Sequence, residues 1–194
     1  MLWKESLSLQ IKSLNKILEI DIDSSIQNIE NLLAQSKGII YFTGVGKNYF
    51  TAARVSDTYT SLGIRAQFID PVNTLHGSMG IFQNEDVIIA LSKSGETKEL
   101  IVFIENLRKR NIENIILITS NNQSTLKNLS KFSLVLPIEY EGDHLGIAPI
   151  ASTMMYAAIL DAIAVELSSK RGYTRVDFIR NHPGGAIGAW VGKL

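Results

Sequence analysis

Five short apolar runs constrain what this chain can fold into more than any other feature. They are GIIYFTG (38–44), AQFID (66–70), DVIIALS (86–92), NIILITS (114–120) and FSLVLPI (132–138). Each is rich in β-branched residues and nearly continuous in apolar character, the pattern of a strand buried on both faces. Segments of helical period separate most of them: NYFTAARVSDTYTSLG after the first, TKELIVFIENLRKRN after the third and QSTLKNLSK after the fourth. Strands that alternate with helices imply βαβ units, a parallel sheet and right-handed crossovers. The expected fold is α/β: a three-layer, doubly wound, five-stranded parallel sheet. Two helical stretches, roughly 3–20 and 23–36, precede the core, and a long helix ending at Gly172 follows it. No repeat, low-complexity tract or Pro/Gly/Ser linker interrupts the chain, so one domain is expected over 1–194, with N-terminal helices to about 36 and an α/β core from about 37.

A doubly wound sheet gathers ligands at the carboxyl ends of its strands, where strand order reverses. That rule selects the loops after the first, third and fifth strands, TGVGKN (43–48), SKSGET (92–97) and EYEGDHLG (139–146). Composition narrows the ligand. Nineteen Lys and Arg balance nineteen Asp and Glu, so no overall field draws the chain to nucleic acid or anionic lipid, and the expected ligand is small. There is no cysteine, which removes disulfides, thiol nucleophiles and thiolate metal sites and fits a reducing, cytoplasmic setting. The first residues, MLWKESLSLQIKSL, lack the apolar core and cleavage site of a signal peptide. The longest apolar stretch, GIAPIASTMMYAAILDAIAV, is broken by Pro149 and Asp161, and no membrane span is expected.

The loop SKSGET sets Ser92, Ser94, Gly95 and Thr97 where a buried strand becomes a helix. A helix N-terminus has unpaired N–H groups and partial positive charge. A glycine lets the main chain approach a ligand and hydroxyls add donors, so the combination suits a phosphate monoester. The plainer alternative is that Ser94 or Thr97 caps the helix while Gly95 shapes the turn. Three hydroxyls with a glycine favour phosphate. GVGKN is a second phosphate-type turn, through Gly46, but Asn48 after Lys47 excludes a Walker A loop, and the missing third glycine excludes a dinucleotide fingerprint.

Lys47 could pair with a phosphate or with developing negative charge, or be a solvated surface lysine. His76 follows a Pro/Asn turn, His144 lies in a polar loop, and His182 precedes Pro183-Gly184-Gly185, a backbone suited to a positioned side chain. Their irregular spacing makes no metal signature, and neither metal nor cofactor is expected. Glu96 in the Ser-Gly loop and Glu141 after the fifth strand owe their candidacy to position at strand ends.

SKSGETKEL resembles the Ser-x-Ser-Gly-Glu signature of sugar isomerase (SIS) domains, which have a flavodoxin-like fold and bind phosphosugars. GVGKN, NTLHGSMG, GDHLGIAPIAST, DAIAVELSSKRGYTRVDF and NHPGGAIG are similar to one branch, the D-arabinose-5-phosphate isomerases of Kdo and lipopolysaccharide synthesis. The resemblance covers roughly residues 30 to 190 and implies an aldose–ketose isomerase. It carries the family's lysine onto Lys47, the His-Gly histidine onto His76, the Ser-Gly-Glu glutamate onto Glu96, the glutamate before Leu-Gly-x-Ala-Pro onto Glu141 and the His-Pro-Gly-Gly histidine onto His182. It further implies a homotetramer in which His182 enters a neighbour's site. Two departures stand out. NYF (48–50) replaces the family's Ser-Gly-His, and the sequence stops at Leu194 where longer members continue into CBS modules, which makes it either the short form or a piece of a longer chain that carries them.

An isomerase of this class moves a proton between C1 and C2 through a cis-enediol. The expectation is that Ser92, Ser94 and Thr97 hold the phosphate and that Glu141 is the base, with a raised pKa, and Glu96 its rival. His182 acts on the sugar hydroxyls or ring opening, while Lys47 and His76 stabilise charge. The alternatives are an isomerase of hexulose or heptose phosphates, a non-catalytic phosphosugar-binding module, and a lyase or etherase of amino-sugar phosphates.

Overall fold

The computed structural model describes residues 1–190; the last four positions of the domain expected over 1–194 lie outside the described residues. Five strands form one sheet: β1 (Ile40–Gly44), β2 (Ala66–Phe68), β3 (Val87–Leu91), β4 (Ile115–Thr119) and β5 (Phe132–Val135). All pairs are parallel and the order is β2-β1-β3-β4-β5, so the order reverses between β1 and β3.

Period-two alternation sends each strand's side chains into two cores. On one face Ile40 and Phe42 of β1 and Val87, Ile89 and Leu91 of β3 pack against α2 (Asp23–Gln35), α3 (Lys47–Ser61) and α7 (Ala151–Lys170). On the other, Tyr41, Ile88, Ala90, Ile115 and Leu117 meet α5 (Lys98–Lys109) and α6 (Thr125–Leu129). Leu100, Phe103, Ile104 and Leu107 form the buried stripe of α5 at i, i+3, i+4 and i+7. Each such side chain contributes about 1.5–3 kcal/mol on burial. α1 (Leu2–Glu19) lies outside, against α7.

Two expectations are corrected. Only β1, β3 and β4 are buried along their whole length; β2 and β5 are the edges, have one neighbour each, and keep most side chains partly exposed. And α7 is long and apolar enough, by length and composition alone, to cross a bilayer. In the fold it is a core helix instead: Met155, Tyr156, Leu160, Ile163, Ala164 and Leu167 are buried against the sheet face it covers.

Short elements complete the chain: α4 (Pro71–Thr74), a 3-10 turn (Ser78–Ile81), α8 (Arg175–Arg180) and α9 (Gly185–Gly188). Asp70 caps α4 through the amides of Val72 and Asn73, and Thr174 with Asp177 forms a capping box on α8.

Candidate active site

Because β1 and β3 are neighbours whose following helices cover opposite faces, the loops leaving them diverge and open a crevice. A cleft of about 580 Å³ occupies that position. The turn after β1 gives it Gly46, Lys47 and Asn48, and the loop after β3 gives Lys93, Ser94 and Thr97. Ser120 and Asn121 enter after β4, and Ile138, Ile147 and Pro149 from the segment that leads to α7.

The loop from Ser92 to Thr97 is built from within. Ser92 is buried; its hydroxyl accepts from the Gly95 amide at 3.1 Å and pairs with the Thr97 hydroxyl at 2.8 Å. Gly95 has φ +66°, and a Cβ there would stand 2.2 Å from Ser124 Oγ, so both conformation and space demand glycine. Asn121 Nδ2 donates to Ser94 O at 2.9 Å and ties the loop to the end of β4. No side chain caps α5: Thr97 occupies the N-cap position, but its hydroxyl turns to Ser92. The first turn of α5 therefore keeps amides and positive dipole for a ligand. Ser94 and Thr97 face the cleft; Ser92 holds the loop from behind.

Lys47 is the first residue of α3, exposed at the cleft's other wall. Beside it, Asn48 Oδ1 is buried without a hydrogen-bond partner among the described residues. Asn48 lines the cleft at the position where the sequence departs from the Ser-Gly-His pattern, with this oxygen turned to the interior.

The two glutamates go elsewhere. Glu96 is exposed and turns away from the cleft, accepting from the Thr125 amide at 2.7 Å at the start of α6. Glu141 is 2 % exposed and does not line the cleft; Lys93 stands between. Its Oε1 accepts from Lys93 Nζ, while Oε2 accepts from the amides of Ile150 and Ser152 at 2.9 and 3.0 Å and from the Ser152 hydroxyl at 3.0 Å. Burial pushes this carboxyl up, but the hydrogen bonds from Lys93 and Ser152 and the Lys93 charge outweigh it, and the carboxyl lies below its ordinary value. The raised pKa expected of the base is thus corrected: the carboxyl is shifted down, toward its ionised form.

The histidines lie apart from the cleft. His76 is exposed just after α4. His182 follows α8, its Nδ1 2.7 Å from Phe178 O and its ring stacked on Phe178 at 4.0 Å. His144 is exposed in the loop before α7. Of the five expected catalytic side chains, one chain brings only Lys47 to the cleft. Sequence reading missed Lys93, which fills the unspecified place of Ser-x-Ser-Gly-Glu, and the Ser120–Asn121 pair, whose role depends on the β3–β4 adjacency. Among the described residues no three His, Asp or Glu side chains gather as a metal site.

Residues 32–166 match the family model of the SIS domain. The chain is 31% identical over 185 residues to the arabinose 5-phosphate isomerase KdsD of Pseudomonas aeruginosa, covering 95% of this chain and 56% of that protein. It is 34% identical over 182 residues to the arabinose 5-phosphate isomerase KpsF of Escherichia coli O6:H1, covering 93% and 54%. The chain thus spans about half the length of the curated relatives it matches. The solved structure of E. coli CFT073 c3406 in complex with arabinose 5-phosphate superposes with a TM-score of 0.90 at 30% identity, covering 94% of this chain and 96% of that one.

Proposed function

Because this chain belongs to the SIS domain family, we propose that it is an aldose–ketose isomerase interconverting D-ribulose 5-phosphate and D-arabinose 5-phosphate through a cis-enediol. The observation that carries this reading is the cleft at the β1/β3 reversal, where an uncapped helix N-terminus and two hydroxyls meet two lysines. The choice of pentose phosphate leans on the relatives named arabinose 5-phosphate isomerase and on the similar structure that holds arabinose 5-phosphate. A place in Kdo synthesis, in the cytoplasm, belongs to the same proposal.

In this reading the phosphate sits on the α5 amides, Ser94 Oγ and Thr97 Oγ1, with Gly46 and Lys47 facing it. Ser92 and Gly95 keep the loop in shape. The sugar extends toward Asn48 and Lys93. From the ketose, a base takes a C1 proton as the C2 carbonyl oxygen gains one; the resulting enediol then receives a proton at C2 and gives up the one on O1. Glu141 is the base: ionisation puts it in the required state, and it lies directly behind Lys93. The Lys47 charge stabilises the enediolate oxygen. Glu96 supports the loop through α6. His76 and His182 act, if they touch substrate, in the cleft of a neighbouring copy, which accords with a shared-site homotetramer.

Purified protein given ribulose 5-phosphate and followed for arabinose 5-phosphate tests the reading, with hexulose and heptose phosphates alongside. Turnover of the pentulose phosphate in preference to the others is the expected result. Turnover of a hexulose or heptose phosphate alone would move the substrate, and binding without turnover of any would make this a sensing module.

A further inference from the structure

The carboxylate proposed as base is fully engaged within its own chain, yet its two oxygens are held in different ways. Two of the donors to Oε2 are backbone amides, of Ile150 at the N-cap and Ser152 in the first turn of α7, fixed at the start of a 20-residue core helix; the third is the Ser152 hydroxyl. Oε1 is held by Lys93, whose side chain is 41 % exposed on a flexible four-carbon stem and also lines the cleft beside Ser94 and Thr97. An ammonium has three donors, and Glu141 is the one side-chain acceptor Lys93 meets among the described residues.

We propose that Lys93 is a positioning residue that latches the site: it holds Oε1 of Glu141 before substrate binds and swings to an anionic phosphosugar on binding, releasing Oε1 toward the sugar. This rests on the isomerase reading. The transfer is favourable because a phosphate monoester brings about 1.5–2 negative charges against one on the carboxylate. It does not strand Glu141, since three hydrogen bonds and the α7 N-terminus still stabilise the anion. The released oxygen is therefore a carboxylate ready to accept a proton. The other groups around it do not compete. Tyr156 of α7 is kept protonated by burial and bonds Ser120 Oγ at 2.7 Å, and α1 presents uncharged Ser6 and Gln10 against Gly142. Two consequences follow from removing the Lys93 cation: the Glu141 carboxyl rises toward its ordinary value, and phosphosugar binding weakens.

The full chain, labelled with 13C-glutamate and 15N, would be titrated by NMR. The amides of Ile150 and Ser152 report the same carboxyl as the Glu141 carbon. Saturating arabinose 5-phosphate should raise the Glu141 midpoint in wild type, and Lys93→Met should raise it without ligand and leave it insensitive to ligand. Affinity for arabinose 5-phosphate should fall roughly tenfold in Lys93→Met, the scale of a lost charged hydrogen bond, and recover to within a few-fold in Lys93→Arg. A wild-type midpoint unmoved by saturating ligand, or Lys93→Met binding as tightly as wild type, would overturn the latch even in an active isomerase. A protein that binds and shifts the midpoint but never turns over keeps the latch and loses the isomerase reading. Binding of neither arabinose 5-phosphate nor inorganic phosphate would overturn both.

Discussion

Two serines with a single residue between them do different work, and the difference is measurable. Ser94 faces the cleft, while Ser92 is buried and holds Gly95 and Thr97. Ser94→Ala should raise KM roughly tenfold with a smaller change in kcat, because it removes one hydrogen bond to a charged phosphate. Ser92→Ala should instead cost about 1–2 kcal/mol of stability in urea denaturation, from two lost buried hydrogen bonds. A collapse of kcat at fixed KM in Ser94→Ala would remove Ser94 from the phosphate site. Glu141 adds a pH-dependent contribution. Its native pKa is lowered, so the stability it gives is fully present above the unfolded value of about 4.3 and is lost as pH falls through the native value. Glu141→Gln should therefore lower stability by about 2 kcal/mol at neutral pH, with the gap from wild type closing under acid conditions. A gap that stayed constant with pH would mean that charge is not what Glu141 contributes. The residue types at the cleft were legible in the sequence; the direction of each side chain was not. Glu96 and Lys93 belong to one motif, yet one reaches α6 and the other Glu141, 48 residues away. Such contacts exist only once the strands are in order.

Elements were read more securely than side chains, because period and length are local. The three central strands fall inside their predicted runs, as β-branched residues pack on both faces of a covered sheet. All five strands are shorter than their predicted runs, and β2 and β5 differ from the others in pairing on one side only. The helices α4, α8 and α9, of four to six residues, were not predicted; a turn or two held by caps such as Asp70 and Thr174 shows no hydrophobic period. The loop between β3 and α5 depends on the junction of elements. Gly95→Ala should destabilise the protein by at least ~1 kcal/mol and weaken phosphate binding, since a Cβ forces the left-handed backbone or Ser124 to move. Wild-type stability and phosphate affinity in that variant would contradict the account of the loop. Calorimetry with inorganic phosphate, together with urea denaturation, reads both effects.

At the scale of the molecule, one chain forms the cleft but sets both candidate histidines outside it. The surface carries apolar groups that a lone chain leaves in water, among them Leu18 of α1 at 88 % exposure and Phe50 of α3 at 72 %. A homotetramer that covers them and delivers His182 to a neighbour's cleft is the proposed assembly. Light scattering should give four copies at assay concentration. Mixing inactive Glu141→Gln with inactive His182→Ala subunits should restore part of the activity once mass spectrometry confirms exchange. An active monomer would refute the shared site. The chemistry itself is tested most directly by isomerisation in deuterated water. Ribulose 5-phosphate should yield arabinose 5-phosphate carrying deuterium at C2, with product and label both falling by orders of magnitude in Glu141→Gln while phosphosugar binding persists. No product and no label from wild type, or undiminished labelling in Glu141→Gln, would contradict the proposed isomerase and its base.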